Sequence, residues 1–129
     1  MNVNDSCACG YGASYADCCR PRHEGVSPAA TAETLMRSRY VAYTLGIEPY
    51  LLATWHATTR PTALDLGAEP IARWLGLEIK RHETQGEDHA TVEFVARYKI
   101  DGRAYRLHET SRFVREDGRW FYIDGEIKA

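Results

Sequence analysis

All four cysteines of this 129-residue chain fall inside one stretch, CACGYGASYADCC, running from Cys7 to Cys19. The spacing is C-x-C, eight intervening residues, then C-C. Thiols in such a pattern serve disulfides, catalysis or metal binding. A bond within Cys7–Cys9 or within Cys18–Cys19 would be strained, and cross-pairs such as Cys7–Cys18 are disfavoured in a reducing compartment. Catalysis needs only one or two thiols beside a base. Four thiolates in two close pairs suit a tetrahedral zinc ion, with Zn–S near ~2.3 Å. Gly10 and Gly12 let the backbone turn tightly after the first pair, and Arg20, Arg22 and His23 follow the second. Those cations would offset the charge of roughly −2 that a Zn(Cys)4 centre carries. A lobe this short buries too little to fold alone, whereas structural zinc can contribute about 10–16 kcal/mol. The expectation is a structural Zn2+ held by Cys7, Cys9, Cys18 and Cys19. Free buried thiols or redox cysteines are the alternative, and His23 is a candidate to replace Cys19. Four protein ligands leave no open position, so this metal is not expected to be catalytic.

Cys7, Cys9, Gly10, Gly12, Tyr15, Cys18 and Cys19 together resemble the SEC-C motif, a small zinc-binding module found at the C-terminus of the SecA translocation ATPase and in many other bacterial proteins. Tyr11 stands where the motif usually has Ser, a departure that touches no ligand. The resemblance implies a zinc module over residues 1–25. In SecA the similar module is implicated in contacting the export chaperone SecB and the ribosome. By analogy, a protein-interaction or adaptor role is expected here, with a protein partner reached through the zinc module.

After the linker Gly25–Ala30, Thr31 is placed to cap a helix whose Met36, Tyr40, Tyr43 and Ile47 form an apolar stripe. A second helix is expected over PYLLATWH, ending before Pro61. A third is expected from Pro70 to Gly76, burying Ile71 and Trp74. From there the period becomes two. Val92, Phe94, Ala96, Tyr98 and Ile100 alternate with mostly polar residues, and Asp101-Gly102 and Asp117-Gly118 read as hairpin turns. The fold class expected is α+β: an N-terminal zinc module, then helices packed on a strongly curved antiparallel sheet over residues 26–129.

Two-residue turns fix the register. Pairing Ile100 with Arg103 sets Phe94 against Glu109 and Val92 against Ser111. Pairing Glu116 with Arg119 sets Phe113 against Tyr122 and Ser111 against Asp124. The concave face is then apolar except for Glu109, Ser111 and Asp124, which cluster unless a bulge intervenes. Buried carboxylates need partners, and the helices offer Arg37, Arg39, His56 or Arg60. One reading is a structural tie between helix and sheet. The other is a small-molecule pocket, or an enzyme site with Glu109 or Asp124 as base, involving Arg39, Trp55, His56, Tyr98 and Trp120. Such a site calls for a cavity of about 300 Å3 or more walled by Phe94, Tyr98, Trp120 and the polar trio. His108 is expected on the other face, in solvent.

The formal charge of −2 argues against a general nucleic-acid binder. No run approaches the ~20 apolar residues of a membrane span, and no export signal is visible in the first thirty residues, so a cytoplasmic location is expected. The stretches TAETLMRSRYVAY, YLLATWH, TTRP, VEFVARY and LHETSRFVREDGRWFYIDG resemble the YchJ family of bacterial proteins nearly end to end. That resemblance implies a domain of the nuclear-transport-factor type and leaves the activity open.

Overall fold

The two Asp-Gly pairs set the architecture. Asp101 and Asp117 take positive φ of 52° and 53°, and the glycines after them 79° and 77°. Both central residues of each turn are therefore left-handed, the geometry that joins two twisted antiparallel strands without splaying them. The computed structural model describes residues 6–10, 12–64, 66 and 72–128. Four strands, β1 (Arg73–Gln85), β2 (His89–Ile100), β3 (Arg103–Glu116) and β4 (Arg119–Ile127), form one antiparallel meander in the order β1-β2-β3-β4. Among the described residues, the α-helices α1 (Arg20–His23), α2 (Ala32–Leu45) and α3 (Glu48–Ala53) precede them.

Helix α2 begins as the sequence predicts, with Thr31 Oγ1 accepting from the Thr34 N–H at 3.1 Å. It ends at Leu45, so Ile47 lies outside it as the N-cap of α3. Its buried face, with Leu35, Met36, Tyr40 and Val41, shares one core with Val92, Phe94, Ala96 and Phe113 of the sheet and with all four cysteines.

Helix α3 is shorter than expected. Thr54 turns its hydroxyl back onto the Tyr50 carbonyl at 2.8 Å, and the chain leaves the helix to lie along the outer strand. The His56 N–H donates to the Tyr122 carbonyl at 2.7 Å, and the Tyr122 N–H to the Thr54 carbonyl at 2.8 Å. Trp55 and His56 thus cover part of the exposed edge of β4.

The helix expected over Pro70–Gly76 is not formed from Arg73 onward, where the chain is already β1. Pro70 and Ile71 lie outside the described residues. Trp74, Leu77, Ile79 and His82 face Tyr98, Ala96, Phe94 and Val92 across β2, with bulges between Trp74 and Gly76 and between Ile79 and Arg81. Each bulge inserts a residue, so the inward positions recur at intervals of three, two and three, which breaks the strand's period of two. No described helix is long and apolar enough to cross a membrane.

Candidate metal centre and sheet pocket

Two short turns present the cysteine pairs to each other. Residues 6–14 fold back on themselves: Ser6 bridges Ser14, and the Cys7 N–H donates to the Ala13 carbonyl at 2.8 Å. Gly10 and Gly12 take φ of 81° and 104° inside that reversal, conformations costly for any other residue. A 3-10 turn over Tyr15–Asp17, capped by the Ser14 side chain, then delivers Cys18 and Cys19. The four cysteines are buried and form no disulfide, and their sulfurs lie within 4.8 Å of one another.

The spacing is finer evidence than the proximity. Cys9 and Cys18 sulfurs are 3.5 Å apart, and those of Cys18 and Cys19 are 3.9 Å apart. A tetrahedron with metal–sulfur distances of ~2.3 Å has its sulfurs ~3.8 Å apart. The four side chains are therefore arranged to hold one ion. In the absence of a cation Cys18 and Cys19 resist ionisation. Burial first, then the Cys9 sulfur, pushes Cys18 up, and the Cys7 and Cys9 sulfurs, then burial, do the same to Cys19. Four thiolates at this separation need a cation between them.

Two arginines brace the centre from outside. Arg22 donates through Nη1 to the Cys18 carbonyl, and Arg37 through Nη1 to the Cys9 carbonyl. Arg37 comes from α2, so the partner expected for the sheet carboxylates instead reaches the cysteine lobe. His23 is not placed as a ligand. Its Nε2–H donates to the Ser38 carbonyl at 2.8 Å, and its Nδ1 accepts from the Tyr15 hydroxyl at 2.8 Å. With both nitrogens engaged, and burial lowering its pKa, the imidazole ties the lobe to α2 as a neutral ring.

The polar cluster on the sheet differs from expectation at one residue. Phe94 faces Glu109, Val92 faces Ser111 and Phe113 faces Tyr122, as the turns require. A bulge between Arg112 and Phe113 then shifts the β3–β4 register, so Gly125 faces Ser111 and Asp124 faces Arg112. Asp124 is thereby sent to the opposite face, where its carboxylate accepts two hydrogen bonds from Arg112 at 2.6 and 2.5 Å. That pairing holds Asp124 below the usual carboxylate range. Glu109 and Ser111 remain, with Gly125 between them and solvent. A Cβ on Gly125 would sit 1.6 Å from Glu109 Oε1, so the carboxyl occupies the room the glycine leaves.

The other candidate residues separate into three places. Arg39, only 3% exposed, donates from Nη1 to the Leu51 carbonyl and to Thr54 Oγ1, each at 2.7 Å. Its guanidinium stacks over Tyr122 at 4.6 Å and Trp55 at 5.1 Å. A cavity of about 140 Å3 opens between Arg39, Glu109 and Ser111, walled by Tyr40, Trp74 and Phe94. It is half the size expected, and neither Tyr98 nor Trp120 lines it. Tyr98 stacks on Tyr105 with centroids 5.4 Å apart. Trp120 instead floors a larger groove of about 340 Å3, shared by α1, α3 and the start of β4. His56 lies outside both, donating through Nε2–H to Glu116 at 2.9 Å and accepting at Nδ1 from the Thr58 hydroxyl at 2.7 Å. Arg60 caps the Trp55 carbonyl at 2.9 Å. His108 is half-buried and pairs with Glu93 at 2.6 Å rather than standing in solvent. Tyr43, a wall of the cavity close enough to hydrogen-bond Arg39, was legible only as an apolar stripe residue.

Residues 31–125 match the family described as YchJ, middle NTF2-like domain. The chain belongs to the YchJ family. A UPF0225 protein of Ralstonia nicotianae is 57% identical over 132 residues, covering 95% of this chain and 91% of its own length. A second UPF0225 protein, from Methylibium petroleiphilum, is 60% identical over 122 residues, covering 94% and 88%. Among solved structures, a SEC-C motif containing protein from Rhodopseudomonas palustris superposes with a TM-score of 0.86 at 34% identity, covering all of both chains. Another, from Psychrobacter arcticus, gives 0.80 at 29% identity over 98% of this chain and 85% of its own. The family and motif read from the sequence are both borne out, as is the α+β fold of cysteine lobe, helices and antiparallel sheet.

Proposed function

We propose that this YchJ-family chain is a cytoplasmic zinc-stabilised adaptor, in which the cysteine lobe is a docking module for a protein partner. The observation that carries the reading is the sulfur geometry: four buried thiols at tetrahedral spacing, with no fifth ligand group among the described residues. Zinc suits an all-sulfur tetrahedral set, and Cys7, Cys9, Cys18 and Cys19 would hold it. When bound, it supplies charge neutralisation and a fixed shape. A closed set of four protein ligands offers no site for a substrate, so what the lobe presents is surface.

That surface continues into the groove over Trp120. Leu35, Ala29 and Trp120 give it an apolar floor, and Arg22 and Arg119 stand on its walls. The complementary partner is a peptide segment carrying an apolar side chain beside an acidic one. The test is affinity capture from lysate with three proteins: the zinc-loaded chain, Cys18→Ser and Trp120→Ala. The expected result is a partner recovered by the first and lost with both variants, with binding that weakens as salt rises. Equal recovery by all three proteins would overturn the adaptor role.

A further inference from the structure

The cavity between Arg39 and Glu109 has an unusual charge arrangement. Arg39 is buried without a carboxylate paired to it among the described residues; its contacts are one carbonyl, the hydroxyls of Thr54 and Tyr43, and two aromatic faces. Burying a guanidinium this way is costly unless its donors are used, and both hydrogens of Nη1 already are. Across the cavity, Glu109 forms no ion pair or hydrogen bond among the described residues, although the Arg39 charge is felt there. A guanidinium with N–H groups to spare and a carboxyl without a partner among the described residues thus line one space.

Three further features restrict what fits. The volume, about 140 Å3, is close to the ~150 Å3 of an engineered apolar cavity that binds benzene, so one six-membered ring fills it. The walls are aromatic, with Tyr40, Trp74 and Phe94 offering flat faces. The charges cancel across it, so an anionic ligand would meet Glu109 and a cationic one Arg39. Glu109 is half-buried rather than sealed, which leaves the cavity open on that side.

We propose that this cavity is a binding site for a small uncharged planar ring that carries a carbonyl beside an N–H, the cyclic-amide pattern of pyridones and pyrimidine bases. The carbonyl accepts from Arg39, the N–H donates to the Glu109 carboxylate, and the ring lies between Tyr40, Trp74 and Phe94. Burial raises the pKa of Glu109, in keeping with a carboxyl that awaits a donor. The site is independent of the cysteine lobe, and the adaptor role stands or falls separately.

The experiment uses the full zinc-loaded chain and 2-pyridone, followed by amide chemical-shift titration, with benzene and benzoate as comparison probes. The expected result is saturable shifts on α2, β2 and β3, with 2-pyridone bound more tightly than either comparison. Glu109→Leu keeps the approximate size but removes the acceptor, and it should weaken 2-pyridone about 10-fold or more. Ala96→Leu, which fills the cavity, should abolish binding, and Asp124→Asn, on the opposite face, should leave it unchanged. The spectrum of each variant reports its fold directly. No saturable binding, equal binding of benzene, or full affinity in Glu109→Leu would each overturn the proposal.

Discussion

Glu109 and Gly125 share one position. The carboxyl of one lies where the side chain of the other would be, and the atom displaced by a methyl group is the end of a flexible chain. Gly125→Ala should therefore fold, but with Glu109 turned out into water. Its raised pKa should fall back toward the ordinary value, readable by carboxyl-resonance titration. An unchanged Glu109 pKa in that variant would contradict the geometry. The same shift makes a stability prediction. The folded state raises the Glu109 pKa above 4.5, so it favours the neutral acid. Stability from this group is complete below the unfolded value and is lost as pH rises through the folded pKa. Glu109→Gln never ionises. Its melting temperature should match the parent in acid, exceed it increasingly as pH rises from the unfolded to the folded value, and hold a constant margin above that. A difference that stays constant across the whole range would show that folding does not raise the Glu109 pKa.

At the scale of elements, α2 does two jobs at once. Arg37 points one way, to the Cys9 carbonyl, and Arg39 two residues on points to the sheet cavity. Bracing groups outside a metal centre typically contribute ~10–100-fold in metal affinity. Arg37→Ala should accordingly release zinc to a chromogenic chelator about 10-fold faster, while leaving the cavity intact; an unaltered release rate would mean the arginine does not brace the centre. The elements also show where sequence reading succeeds. The β2–β3 register was legible because a two-residue turn counts it out and no bulge intervenes between Ile100 and His89. The β3–β4 register was legible only as far as Phe113. The bulge beside Arg112 has no marker in the residues, and it moved Asp124 from the pocket to the outer face. The start of β1 was illegible because Pro70 and Gly76 read as helix ends, and its two bulges break the period of two that marks a strand. The meeting of the four cysteines was legible, because two close pairs joined through a glycine-rich turn can fold onto one another. His23 was not, because only the packed structure shows both ring nitrogens engaged.

On the scale of the whole molecule, the lobe and the sheet domain are joined through buried contacts rather than a linker. The cysteines belong to the same core as α2 and the sheet, and His23 fastens Tyr15 to the Ser38 carbonyl. Metal bound by the lobe should therefore stabilise more than the lobe. The decisive measurement is metal content of reductively purified protein, paired with amide spectra of residues 6–25 before and after chelation. One zinc per chain is predicted, falling to near zero in Cys18→Ser, with the resonances of the lobe collapsing when the ion is withdrawn. Protein that contains no metal, yet keeps those resonances dispersed, would contradict it.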